Sequence, residues 1–188
     1  MKPMLCLSLV FVLTTLQSRA QTNPPEGFQT GTITIAGGTP LQGFVKDNIR
    51  SKAEVLFLSA DGKKKKYTAS EVLAVTADSV KYIVQEGVFY KVVREGARLH
   101  LLKKASSVSG KIEYNGSEPV AYTRGEGGYD DYFIQPAGGK PQLVRKKDFD
   151  RVLTAAVAGC PTVLEAIQKK ELGFGELEQV IDKYNACQ

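Results

Sequence analysis

Catalytic and metal-binding chemistry rests mostly on Cys, His and converging carboxylates. This chain of 188 residues has three Cys, one His and no Trp. His100 stands between Leu99 and Leu101 in an apolar stretch, so on a strand its side chain points away from theirs. A nucleophilic dyad needs such a His beside Ser or Cys, with an acid to orient it. Neither a G-x-S-x-G elbow nor a reactive Cys context occurs, so His100 reads as a structural or exposed residue and no catalytic residue is assigned. One His with so few Cys supplies no zinc ligand set, and no metal or cofactor is expected. The stretch Gly125-Glu126-Gly127-Gly128-Tyr129-Asp130-Asp131 is the most unusual locally. It could form a calcium loop or an aromatic-acid surface for sugar, but the D-x-D-x-D-G spacing is absent. Asp130 and Asp131 alternate faces on a strand and would not converge as glycosidase carboxylates. Tyr129, Asp130 and Asp131 therefore stand as a candidate surface site, against the plainer reading of a solvated loop. The run Lys63-Lys64-Lys65-Lys66 could touch phosphate or anionic lipid, or could be a solvated hairpin end that protects a sheet edge. Asn115-Gly116-Ser117 fits an N-glycosylation acceptor.

Compartment narrows these readings. Lys2 precedes the apolar stretch 4–16, and Ser18-Arg19-Ala20 places small residues at −3 and −1 of a cut before Gln21. The apolar stretch is too short to span roughly 30 Å of hydrocarbon at about 1.5 Å per residue. Residues 1–20 are thus expected to be a removable export signal that carries Cys6 away, with no membrane-spanning segment in the mature chain. The formal charge of +5 includes Lys2 and Arg19 and shrinks without them, so it gives no reason to propose a nucleic-acid partner. A hydrophobic content of 43% with 24% charged residues is that of a globular chain rather than a disordered one.

The elements that must position these residues come in two kinds. Residues 21–27 (QTNPPEG) form a linker whose Pro pair blocks helix. Strand patterns occupy 32–35, 41–45, 55–58, 66–68, 80–84, 88–93, 99–102, 111–114, 120–122, 132–135 and 142–144. Their connections are too short for crossover helices, so the sheet is expected to be mostly antiparallel. Gln85-Glu86-Gly87 between two of them reads as a hairpin turn. At Asp148 the period changes. Phe149, Val152, Leu153, Ala156 and Val157 share one helical face, with Asp148 as N-cap and Gly159 as stop. Pro161 opens a second helix ending at Gly173, and Leu177, Val180, Ile181 and Tyr184 mark a third. The fold class is therefore α+β. A β-rich domain over 28–146 is followed by a C-terminal helical segment over 147–188 of about three short helices.

Antiparallel packing of the second and third helices would bring Cys160 and Cys187 to the same end. A bridge between them would contribute about 3–4 kcal/mol in the chain-entropy model. Two independent buried thiols are the competing reading. Gly31-x-Ile33 with Gly37 and Pro40 recurs as Gly110-x-Ile112 with Gly116 and Pro119. Glu71-Val72 would then correspond to Asp148-Phe149, two similar β-units from an internal duplication, although turn residues recur by chance.

The signal segment, the G-x-I…G…P-L-x-G-F stretch over 31–44, Lys66-Tyr67-Thr68-Ala69-Ser70-Glu71-Val72, Tyr132-Phe133-Ile134, Lys147-Asp148-Phe149 and Cys160-Pro161…Tyr184-Asn185 together resemble a group of uncharacterised exported envelope proteins of Bacteroidota. The resemblance implies a periplasmic, extracellular or outer-membrane-associated protein and carries no catalytic residues to transfer. Under it, Asp78-Ser79-Val80 looks like the Asp-Ser/Thr-apolar sites that such bacteria O-glycosylate, with Ser79 as acceptor. The functional expectation is an exported non-enzymatic envelope module that binds a protein or small ligand. The alternatives are a carrier of a lipid or other apolar molecule, and a carboxylate-dependent hydrolase.

Overall fold

The computed structural model describes residues 23–104, 111–115, 118–122 and 131–187. Strands β1 (Gln29–Ile35), β2 (Pro40–Asn48), β3 (Glu54–Ser59), β4 (Lys64–Thr68), β5 (Val72–Ala77), β6 (Val80–Gln85), β7 (Val88–Arg94) and β8 (Leu99–Lys104) follow one another, with a single helical turn α1 (Ile49–Lys52) after β2. The pair β9 (Lys111–Asn115) and β10 (Glu118–Tyr122) forms its own two-stranded sheet. Then come β11 (Asp131–Pro136), β12 (Gln142–Val144), α2 (Phe149–Ala156), α3 (Pro161–Gln168) and α4 (Leu177–Ala186). Ten strands make one sheet in the order β12-β11-β8-β7-β6-β5-β1-β2-β3-β4, with every ladder antiparallel. The α+β class and the antiparallel pairing follow the sequence reading.

Both hydrophobic cores lie on one face of this sheet. The register places Val45 beside Phe57, Ile33 beside Val75, and Val75 beside Tyr82, all pointing to the same side. At the other end of the sheet, Leu101 and Ile134 are partners on that same side, where α2, α3 and α4 cover them. The N-terminal half has no such helical cover and shields its core by curling. Tyr82 on β6 donates its hydroxyl hydrogen bond to the Asp47 carboxylate on β2. Three strand spacings separate those strands, about 14 Å on a flat sheet. Two side chains can close that gap only across a concave surface. Gly31 and Gly43 are register partners on β1 and β2. A Cβ on Gly43 would sit 2.4 Å from the Leu58 carbonyl oxygen and 2.7 Å from the Phe57 ring. The G-x-I…G-F pattern is thus explained by strand approach and by the volume of Phe57. Because Phe fills the same volume as Tyr, Tyr82→Phe isolates the hydroxyl. It is expected to cost about 2 kcal/mol in urea unfolding, the range for hydrogen bonds to charged groups.

Several local expectations change. The strand patterns read from the sequence leave out Val72–Ala77. That stretch is β5, pairing with β1 and β6 to make the sheet continuous, and Leu73 is left half exposed. Glu71-Val72 therefore leads into a strand, whereas Asp148-Phe149 leads into a helix. Gly31 lies in the large sheet, while β9 and β10 pair apart from it. Asp148 occupies the N-cap position of α2 without a capping hydrogen bond, and its carboxylate accepts from Arg151 at 3.4 Å instead. The second helix stops at Gln168 rather than near Gly173, because Lys170 takes the left-handed conformation that ends it. The hairpin turn between β6 and β7 is as read, with Glu86 and Gly87 both at positive φ, the type I′ pattern.

Candidate functional site

The two cysteines form a disulfide with a Cα–Cα distance of 6.0 Å. Cys160 is fully buried before Pro161, and Cys187 caps the end of α4. Beside it, Arg98 lies over the Tyr184 ring at 4.1 Å and donates to the Tyr184 and Cys187 carbonyls. A cation there also complements the C-terminal end of the helix dipole. Asn185 reaches back to the sheet. Its Oδ1 accepts from the Arg98 and Leu99 N–H groups, each at 3.0 Å, and its Nδ2 donates to the Leu99 and Ile181 carbonyls. The Tyr184-Asn185 pair is structural: it docks α4 onto the start of β8.

Tyr129 and Asp130 lie outside the described residues, as do the expected signal segment and Gly116 and Ser117 of the sequon. Asp131 is exposed at the start of β11, opposite Lys104. Ser79 is exposed at the two-residue turn between β5 and β6 and donates to the Asp78 carboxylate at 3.3 Å. His100 points away from Leu99 and Leu101 as expected, and its Nδ1 accepts from the Gly96 N–H at 3.3 Å. The lysine run is largely neutralised by its neighbours. Lys63 pairs with Asp61 at 2.7 Å, Lys65 with Glu71 at 3.7 Å and Lys66 with Glu54 at 3.3 Å, while Lys64 lies 5.7 Å above the Phe28 ring. This is the pattern of a charged edge strand rather than of an anion cradle.

Glu71 also closes the turn into β5. The Thr68 N–H and hydroxyl hydrogen bonds hold its carboxyl below the usual carboxylate range. A depressed carboxyl contributes stability that is present above its unfolded pKa, about 4.3, and is lost as pH falls through the folded value. The stability advantage of the wild type over Glu71→Gln is therefore expected at neutral pH and should shrink below about pH 4. Urea midpoints measured from pH 7 to pH 3 test this; a constant difference would contradict it.

A concave surface lies on the outer, convex side of the curl, a position no motif indicated. It is an open cleft of about 810 Å³ over β1, β2 and β3. Its floor is set by register: Thr32 faces Gln42, Thr30 faces Phe44, and Phe44 faces Leu58. Asn23 and Pro25 from the N-terminal segment, with Asp78, complete the rim. Ser59 is already committed to the Asp61 carboxylate and the Lys63 carbonyl. Among the described residues, the side chains of Thr30, Thr32 and Gln42 make no hydrogen bond to a protein partner. Phe44 held the available sequence signal. Gln42, Phe44 and Lys46 share the outward register of β2, where an aromatic ring is out of place.

Among the described residues Asp78 is the only carboxylate lining the cleft, and no acid–base pair of theirs converges there. A second depression beside α4 does gather carboxylates, with Tyr132 and Phe174 nearby. There Glu178 and Asp182 both engage Arg94, at 2.6 and 3.4 Å, which leaves them as a structural ion-pair cluster. No group of three His, Cys, Asp or Glu among the described residues is placed to hold a metal ion, and no described helix is long and apolar enough to cross a membrane. Comparison with protein-family models, curated proteins and solved structures gives no significant match to this chain.

Proposed function

We propose that this is an exported, non-enzymatic envelope module that binds a ligand through the cleft over β1, β2 and β3. The observation that carries the reading is the convergence of uncommitted Thr30, Thr32 and Gln42 side chains around Phe44 with no acid–base pair among them. A cleft with few polar groups on an apolar floor suits binding and orientation rather than bond-breaking. A lipid carrier would need a chamber on the concave side, and that side is filled by Ile33, Val45, Val55, Phe57, Val75, Tyr82 and Phe89. Export is supported by the N-terminal signal pattern and is in keeping with the Cys160–Cys187 bridge. The resemblance to envelope proteins of Bacteroidota supports a location in the periplasm or at the outer surface, with Ser79 at an accessible turn as the candidate O-glycan acceptor.

The test is native mass spectrometry of the protein purified from its own envelope, beside a Gln42→Ala and a Phe44→Ala variant. The expected result is a mature chain beginning at Gln21 with a retained non-covalent ligand that both variants lose. A ligand retained equally by both variants, or no ligand in any of them, would reject the cleft as the binding site.

A further inference from the structure

The cleft's chemistry also specifies a ligand class, and this inference rests on the binding reading above. We infer that it takes a neutral saccharide. Three properties of the surface lead there. The first is charge: among the described residues no cation lines the cleft, and the one carboxylate lining it, Asp78, stands at its rim. An acidic glycan, a phosphate ester or a fatty-acid carboxylate would meet Asp78 as a like charge and no cation in the lining, because Lys46 and Lys64, on the same face beside Phe44 and Leu58, stand outside it.

The second is the pattern of hydrogen-bonding groups. Thr30 and Thr32 are two residues apart on β1, so their hydroxyls leave the same face about 6.6 Å apart. Gln42 sits directly across from Thr32, about 5 Å away between Cβ atoms. A hydroxyl donates and accepts, and the Gln42 amide supplies two donors and an acceptor. The surface therefore offers mixed donors and acceptors on a grid of single-residue spacing. This matches a ligand whose every edge carries hydroxyls, each both donor and acceptor. The third is the apolar element inside that grid. Phe44 lies beside Thr30, with Leu58 next to it. A pyranose presents a C–H face as well as its hydroxyl edges, and an aromatic ring with an aliphatic neighbour receives that face.

An extended peptide is the nearest competitor, since its amides also mix donors and acceptors. Peptides that dock on sheets do so chiefly by adding a strand to a free edge. The three strands beneath the cleft offer no such edge: β1 is paired with β2 and β5, β2 with β1 and β3, and β3 with β2 and β4. Recognition there must come from side chains alone.

The experiment presents the disulfide-bonded protein to an array of neutral and acidic glycans, then measures the strongest binders by titration calorimetry. Palmitate and a Gly/Ser/Asn-rich peptide are titrated in parallel. Gln42→Ala and Thr32→Val are the variants. Gln42 is exposed and Thr32→Val keeps its shape, so folding is not at stake in either. The expected result is binding confined to neutral glycans and weakened at least fivefold by each variant. Binding of acidic glycans in preference, or neutral binding unchanged in both variants, would overturn the saccharide assignment. Palmitate or peptide binding weakened by Gln42→Ala would overturn it while leaving the cleft as a binding site. No variant-sensitive binding by any probe would overturn both.

Discussion

Reducing the Cys160–Cys187 bridge is expected to lower the stability of the protein by about 3–4 kcal/mol, the chain-entropy value for a loop of this length. The bridge spans a sequence separation of 27 and ties the opening of α3 to the end of α4. Without it, the unfolded chain regains the freedom of that loop, while the folded state keeps most of its contacts. In a chain of this size the loss corresponds to a drop of about 10 °C in the unfolding midpoint. Thermal unfolding with and without a phosphine reductant measures it, and a Cys160→Ala/Cys187→Ala variant removes any effect of the reductant elsewhere. Cys160 is fully buried among Val157, Val163 and Ile181, so the double variant adds a small cavity term to the loss. A change of less than about 1 kcal/mol would mean that helix packing alone closes the loop in the unfolded ensemble, contrary to the entropic account.

Asn185→Ala is expected to cost about 3 kcal/mol by a different route. The side chain of Asn185 uses both acceptor and both donor positions on backbone groups of residues 98, 99 and 181. Alanine would leave the Arg98 and Leu99 N–H groups and the Leu99 carbonyl without those partners at a partly buried junction. Each such group costs about 1–3 kcal/mol when it is not rescued by water. Asn185→Asp keeps the two acceptor contacts and loses the donors, so it should fall between wild type and alanine. Gly96→Ala reaches the same junction from the other side. Its Cβ would lie 2.0 Å from Asn185 Nδ2, so it must displace the amide and should resemble Asn185→Ala in loss. Urea unfolding of the three variants orders them. Equal stability of Asn185→Ala and wild type would show that solvent replaces the amide at no cost. Hydrogen exchange should place the loss in α4 and the start of β8 rather than in the curled half of the sheet.

Much of the secondary structure was legible because it is written in local periodicity. Thr32-Ile33-Thr34-Ile35 alternates, and Phe149, Val152 and Leu153 recur at helical spacing, so strand and helix separate without reference to anything distant. The proximity of Cys160 and Cys187 was legible for the same reason: two amphipathic helices with a short connection must fold back on their apolar faces. Expectations failed where a non-local partner overrode the local signal. β5 lacks clean alternation and is a strand because β1 and β6 hold it on both sides. Asp148 looked like an N-cap, but its carboxylate turns to Arg151. The lysine run left two readings open, an anion contact or a charged hairpin end that protects an edge, and Asp61, Glu71 and Glu54 beside it favour the second.

The sequence by itself determined the α+β class, the antiparallel pairing, the terminal helices, the scarcity of catalytic side chains and the two cysteines that could meet. All of these depend on residue type and on contacts a few positions apart. Only the tertiary structure decided where a ligand could sit. Thr30, Thr32 and Gln42 are unremarkable along the chain, and with Phe44 they become a cleft because β1, β2 and β3 pair in one register and Asn23, Pro25 and Asp78 rim them. The curl of the sheet rests on the close approach of Gly31 to Thr76 and of Gly43 to Leu58 and on the Tyr82–Asp47 hydrogen bond, whose partners are apart in sequence. Local patterns carry no record of such distant pairings.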